Sequence, residues 1–161
     1  MTAIRAVLAR QIVLVLVMVL SVSLLTAAPA EAVDKRTPKE IRNRMEYLIN
    51  RKRVRHGLRK LRVSDKTQYY ARRHAKNMAE RRRIYHDPNL HNEIPNGCYA
   101  WAENVASTSA DNAARNAMNM FMDSSAHRSN ILSKRMTHMG IGIAKGGGRV
   151  YVVQRFIDRR P

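Results

Sequence analysis

The sequence has a single cysteine, Cys98, among its 161 residues. One cysteine excludes an intrachain disulfide, so the fold has to be held together by its own core. A chain of this length predicts one domain, which can bury well over half of the surface that its unfolded chain exposes. We therefore expect a domain stabilised by packing, with Cys98 as a lone thiol in a loop.

Acidic and aromatic residues are also scarce. The chain has 12 acidic against 30 basic residues, a formal charge of +18, and only 6% aromatic residues. Such an excess favours contact with polyanions, although arginine and lysine can also simply solvate the outer faces of helices. The basic residues are not interleaved with aromatics as in a nucleic-acid platform. We expect anionic cell-envelope polymers or lipid as partners, and no specific nucleic acid.

The sequence has no apolar run long enough for a typical membrane span, which needs about 20 residues. The run Ile12–Leu25 is shorter, is preceded by Arg5 and Arg10, and is followed by Ala28-Pro29-Ala30. This is the layout of a secretory signal peptide, predicted over residues 1–30. The absence of a cysteine after the run argues against a lipoprotein. We expect a secreted or cell-surface protein, with an uncleaved anchor as the alternative.

Local signals predict an α+β domain over residues 38–157. Thr37-Pro38-Lys39-Glu40 is typical of a helix start, and Gly57 is the expected left-handed residue after that helix. Ser64-Asp65 predicts the start of a second helix and Ser107-Thr108-Ser109 that of a third. Residues 136–144 and 150–156 are strand-like and predict a β-hairpin around the glycines between them.

Three isolated titratable residues are the candidate site: His86, Glu103 and His127. Two imidazoles and one carboxylate form a workable donor set for a divalent metal such as Zn²⁺. The three are far apart in sequence, so their spacing proves nothing. The chain has no His-Glu-x-x-His motif, and no serine or cysteine lies in a recognisable nucleophile signature.

The motifs Trp-x-Glu-Asn (101–104), Ser-x-x-His-Arg-x-Asn-Ile-Leu (124–132), Gly-Ile-Gly (140–142) and Tyr-Val-Val-Gln-x-Phe (151–156) occur in that order. The sequence thereby resembles the CAP superfamily, or SCP domain, which includes cysteine-rich secretory proteins, antigen 5 and plant pathogenesis-related proteins. The match is to the compact bacterial branch and runs from about residue 41 to 156. The resemblance implies a three-layer α-β-α sandwich with a small central antiparallel sheet.

The resemblance also implies a cleft lined by His86, Glu103 and His127. Ser124 stands where many eukaryotic members have a second cavity glutamate, which puts mechanisms that need two carboxylates in doubt. Arg128 completes the expected cleft, either pairing with Glu103 or Asp123 or meeting an anionic ligand.

The family includes lipid and sterol binders, so we expect the cleft to bind a ligand or partner such as a lipid or envelope polymer. The alternative is a metal-dependent hydrolase or peptidase, with His86 and His127 as ligands and Glu103 as ligand or general base. A purely structural polar cluster is also compatible with the residues.

Four further polar residues are given structural roles. We expect Asn104 and Asn130 to fix loop backbone, His74 to lie on a helix face, and His138 to lie on the polar face of a strand.

Overall fold

A computed structural model describes residues 36–159 of the chain. The signal peptide predicted over residues 1–30 lies outside the described residues. The described elements are the helices α1 (Pro38–Arg55), α2 (Asp65–Arg81), α3 (Leu90–Glu93), α4 (Ala113–Asp123) and α5 (Ser125–Ile131), and the strands β1 (Arg62–Val63), β2 (Cys98–Ser109), β3 (His138–Gly146) and β4 (Arg149–Arg159). Within the described part of the chain, no helix is both long and apolar enough to cross a bilayer.

Helix α1 begins and ends at the residues that the sequence indicates. Thr37 accepts a hydrogen bond from the backbone N–H of Glu40, and the Glu40 side chain accepts one from the backbone N–H of Thr37. This reciprocal pair satisfies two N–H groups that would otherwise lack partners. Beyond the other end of the helix, Gly57 has a φ of 70°, a left-handed conformation that glycine adopts without a Cβ clash.

The four strands form one sheet in the order β1-β3-β4-β2. Strands β2, β3 and β4 are antiparallel, and β3 and β4 form the predicted hairpin. The two-residue strand β1 joins β3 in parallel, so the sheet is mixed rather than purely antiparallel as predicted. A strand of only two residues is too short to show the alternation of apolar and polar side chains that predicts a strand, so this pairing could not be foreseen.

Helices cover both faces of the sheet, which confirms the three-layer α-β-α arrangement. One face packs its side chains against α1 and α4, with Met45 and Phe121 at the centre. The other face packs Val105 and Val153 against Ala75 and its neighbours on α2. Successive residues of a strand point to opposite faces, so each strand contributes to both layers.

Two glycines of β3 allow α2 to lie directly on the sheet. A Cβ at Gly142 would stand 1.9 Å from the backbone oxygen of Ala71, and one at Gly140 would stand 2.4 Å from the backbone of Thr67 and Gln68. Glycine at these two positions therefore permits the close approach of the helix backbone to the strand.

The predicted start of the third helix at Ser107-Thr108-Ser109 is wrong. These residues belong to β2, where Ser107 stands opposite Tyr151 and accepts a hydrogen bond from the Arg149 guanidinium at 2.6 Å. The helix begins at Ala113, after Asn112 in a left-handed conformation. Serine and threonine are favoured at helix N-caps, but they also fit a strand when a cross-strand partner satisfies the hydroxyl.

Candidate functional site

His86 and Glu103 are in direct contact. Strand β2 holds Glu103 buried, whereas His86 lies exposed in the segment between α2 and α3. The Nδ1 of His86 lies 2.9 Å from Glu103 Oε1, and the backbone N–H of Asp87 donates to the same oxygen at 3.0 Å. An ionised carboxylate can only accept, so His86 donates from Nδ1. The buried strand residue therefore fixes the position and orientation of a solvent-facing imidazole.

The other oxygen of Glu103 is held by Arg155, a residue that the sequence analysis missed. Arg155 is 1% exposed and stands directly opposite Glu103 on β4. Its Nε donates to Glu103 Oε2 at 3.0 Å, its Nη1 to Glu93 Oε2 at 2.5 Å and its Nη2 to Asp87 Oδ2 at 2.5 Å. One buried guanidinium thus binds three carboxylates that come from three different segments.

These contacts shift the pKa values of the network in the directions that stabilise its charges. Burial lowers the pKa of Arg155, but its bonds to Glu93, Glu103 and Asp87 outweigh this and raise it. Burial raises the pKa of the Asp87 carboxyl group, but the hydrogen bonds that it accepts from Asn89 and Arg155 more than offset this effect. The pKa of Asp87 therefore lies below its ordinary value. Arg155 and Asp87 are therefore both charged at neutral pH.

His127 lies on α5, and two features hold it. Its ring packs edge-on against Phe121, with 5.3 Å between centroids, and its backbone oxygen accepts a hydrogen bond from Asn104 Nδ2 at 3.1 Å. Burial lowers the pKa of His127, and the charge of nearby His86 lowers it further. His127 therefore favours the neutral form at neutral pH.

Ser124 and Arg128, the other two residues expected in the cleft, both bond to backbone. The hydroxyl of Ser124 caps α5 by accepting from the backbone N–H of His127 at 3.5 Å. Arg128 Nη1 donates to the backbone oxygen of Met122 at 2.7 Å. Among the described residues Arg128 forms no ion pair with Glu103 or Asp123, because the Met122 carbonyl takes its guanidinium instead.

The two asparagines connect α5 to the sheet. Asn130 Nδ2 donates to Asn104 Oδ1 at 2.8 Å, and Asn104 Nδ2 also donates to Gln154 Oε1 at 3.0 Å. Asn104 and Gln154 stand opposite each other on β2 and β4 and are fully buried. The two asparagines thus form hydrogen bonds to backbone and to each other, which agrees with the structural role expected of them.

Two further histidines, His74 on its helix and His138 on its strand, are buried and have polar partners. His74 on α2 is 1% exposed; its Nε2 bonds the backbone oxygen of Tyr85 at 2.8 Å and its Nδ1 lies 3.7 Å from Asp87 Oδ2. It therefore supports the segment that carries His86. His138 is buried at the start of β3, with its Nδ1 2.9 Å from the Thr137 hydroxyl. A helix or strand pattern does not show which histidines have buried partners.

The geometry limits what Glu103 can do chemically. Its two oxygens already accept three hydrogen bonds, from His86, Asp87 and Arg155. Among the described residues, no group of three or more histidine, cysteine, aspartate or glutamate side chains is arranged to hold a metal ion. The buried ionic network thus holds the His86 imidazole through Glu103, whereas His127 is held by Phe121 and Asn104.

The comparisons with known proteins agree with the fold. The model of the cysteine-rich secretory protein family, CAP, matches residues 46–156. A comparison with curated proteins gives no match.

Solved structures with the same fold include extracellular and surface proteins of bacteria. An extracellular protein containing an SCP domain from Bacillus anthracis is 25% identical with a TM-score of 0.63; the alignment covers 77% of this chain and 42% of that protein. The chain thus spans less than half of that relative. An outer surface protein of Borrelia burgdorferi is 19% identical with a TM-score of 0.68, covering 78% and 97% of the two chains. NaASP2, crystallised with Zn²⁺, is 12% identical with a TM-score of 0.53, covering 80% and 83%.

Proposed function

Because this chain belongs to the cysteine-rich secretory protein (CAP) family, we propose that it is a secreted bacterial protein that binds a ligand or partner of the cell envelope through the cleft containing His86, Glu103 and His127. The bacterial relatives described as extracellular or outer-surface proteins support this location. The formal charge of +18 supports an anionic polymer or lipid as the partner.

The hydrogen bonds that Glu103 accepts from the protein are the observation that favours a binding function over a catalytic one. Three of the roughly four lone-pair sites of this carboxylate accept hydrogen bonds from the protein itself, which disfavours it as a general base for a substrate proton. The cleft instead presents oriented imidazoles that can donate to or accept from a polar ligand group. Such groups give a binding site its selectivity.

Retention on purified anionic envelope polymer tests the contribution of charge. We expect retention to fall steeply between about 0.1 M and 1 M salt, since the screening length shrinks from ~10 Å to ~3 Å. Retention that is unchanged from low to high salt would count against an electrostatic partner.

A cleft variant separates specific binding from general attraction. His86→Ala with His127→Ala should weaken the binding that remains at about 0.15 M salt, because the two imidazoles provide the polar contacts of the cleft. The matched control is His56→Ala, which removes an exposed histidine whose Nδ1 lies 2.8 Å from the Lys52 backbone oxygen. Equal binding by all three proteins would exclude the cleft as the binding site.

A second candidate function is weak divalent-metal binding by His86 and His127. The contact between His86 Nδ1 and Glu103 is the arrangement in which a carboxylate orients a metal-binding imidazole. One structural neighbour was crystallised with Zn²⁺. The donor set does not fit a three-ligand catalytic site, because Glu103 is committed to the protein, and no hydrolytic step follows from it. In a calorimetric titration, Zn²⁺ heat in the wild type and none in His86→Ala/His127→Ala would support the candidate; no heat in either would eliminate it.

A further inference from the structure

A cavity of about 600 Å³ with a positively charged lining lies at the C-terminal end of α1. Five of its lining residues are cationic: Arg53, Arg59, Lys60, Arg62 and Lys134. The others are Gly57, Leu58, Met136 and Thr137, so none of the described residues that line it is a carboxylate. It shares no residue with the cleft that contains His86 and His127, and an inference about it does not depend on the function proposed there.

Arg53 is the buried cation of this cavity, with 2% of its surface exposed. Its guanidinium donates to four backbone oxygens, those of Arg59 (2.9 Å), Ile131 (2.7 Å), Ser133 (2.9 Å) and, at a long 3.4 Å, Met136. All four acceptors are neutral. Within the described residues no carboxylate forms an ion pair with Arg53, whereas the equally buried Arg155 has three.

Burial lowers the pKa of Arg53, yet a guanidinium stays charged at neutral pH. Carbonyl dipoles satisfy its hydrogen bonds but cannot neutralise its charge, and a buried charge without a counter-ion is costly. An anion in the cavity would supply the missing counter-charge.

The rim of the cavity carries further cations without acidic partners. Arg59, Lys60 and Lys134 are exposed, and in the described part of the chain none of them pairs with a carboxylate. Elsewhere on the surface some cations do have such partners; Arg42, for example, pairs with Glu46 at 3.7 Å. A concave surface lined by charges of one sign concentrates counter-ions.

We propose that this cavity binds the phosphate group of a soluble phosphate ester. Phosphate concentrates more than one negative charge in a small volume, and arginine and lysine are its usual partners in proteins. Large exposed apolar side chains of the described residues, such as Tyr47, Tyr69 and Trp101, do not line the cavity. A membrane-facing site would need such apolar contacts, so the lining favours a soluble ligand over a bilayer.

A purely structural role for Arg53 explains only part of these observations. By bonding Ile131 and Ser133, Arg53 ties α1 to the segment that leads into β3. That role does not require Arg59, Lys60 and Lys134 to converge on the same cavity. The test therefore substitutes the exposed cations and leaves Arg53 in place, so that the fold is preserved.

The experiment titrates the protein with inorganic phosphate and with glycerol 3-phosphate, followed by ¹H–¹⁵N NMR. We expect saturable shifts confined to residues 57–62 and 133–137 and to the Arg53 side-chain Nε–H. Arg59→Gln, Lys60→Gln and Lys134→Gln together should weaken binding by roughly tenfold or more, since charge-assisted contacts are lost.

The matched control removes three exposed cations elsewhere, by Lys39→Gln, Lys66→Gln and Arg72→Gln, and should change the affinity less than about threefold. Equal losses in the two triple variants, or shifts scattered over the basic surface, would overturn the proposal. So would phosphatidylglycerol vesicles binding through these residues while both soluble phosphates do not, because the partner would then be a membrane.

Discussion

Replacing Arg155 with methionine tests whether its ionic network holds the segments around His86 together. The substitution keeps an unbranched side chain of similar length but removes the cation shared by Asp87, Glu93 and Glu103. Removing one partner of a buried ion pair costs about 3–5 kcal/mol, because the opposite charges stay buried. Arg73 still pairs with Glu93, and this residual compensation argues for the lower half of that range.

Denaturant unfolding at pH 7 measures this loss, which is a large share of the ~5–15 kcal/mol expected for a domain. Arg159→Met, on the same strand but exposed, is the control and should cost less than about 1 kcal/mol. The folded-state pKa of Asp87 lies below the unfolded value of 3.8. Ionised Asp87 therefore stabilises the folded state above pH 3.8, and this stabilisation is lost as the pH falls through the lower, folded-state pKa. The variant loses the part of this pKa shift that Arg155 causes, so the difference in unfolding free energy between wild type and variant should shrink as the pH falls towards 3. A cost below about 1 kcal/mol at pH 7, or one that is the same at pH 7 and pH 3, would refute the reasoning.

Three further predictions concern the site and the sheet. Glu103→Gln should release the Nδ1–H tautomer of His86, which long-range ¹H–¹⁵N spectra would detect as a changed pattern of ring nitrogen shifts; an unchanged pattern would mean that Glu103 does not set the tautomer. Because the pKa of His127 is lowered below 6.5 by burial and by His86, stability should fall as the pH drops from about 6.5, and His127→Gln should flatten that fall in unfolding curves at pH 7.5 and 5.5. Gly142→Ala should cost more than about 3 kcal/mol, because its Cβ would overlap the α2 backbone, whereas Gly57→Ala meets no atom within 4 Å and should show only the smaller strain of its positive φ in thermal unfolding.

Local sequence signals predicted the elements whose causes are local. The capping pattern at Thr37 and Glu40 involves residues three apart, and the glycines of β3 are periodic with the strand, so both can be read from a short window. The parallel pairing of β1 and the strand character of Ser107 depend on partners far along the chain. No local pattern specifies such partners.

The same distinction explains which site residues were found. Glu103 and His127 could be named because each lies in a motif of the family that the sequence resembles, and His86 because the resemblance implies a histidine of the cleft at that position. Arg155 lies next to Gln154 within another of those motifs, yet its arginine looked like one more surface cation among 30 basic residues. Only the register of β2 against β4 shows that it faces Glu103 in the interior.

Consecutive residues of β2 hold the two histidine-bearing segments from opposite faces of the sheet. Glu103 bonds the His86 side chain, and Asn104 bonds the backbone oxygen of His127. The two anchors are thus joined by a single peptide unit inside a paired strand, so a shift of β2 against β4 would displace both histidine-bearing segments together. Replacing either anchor should instead release one segment and leave the other in place.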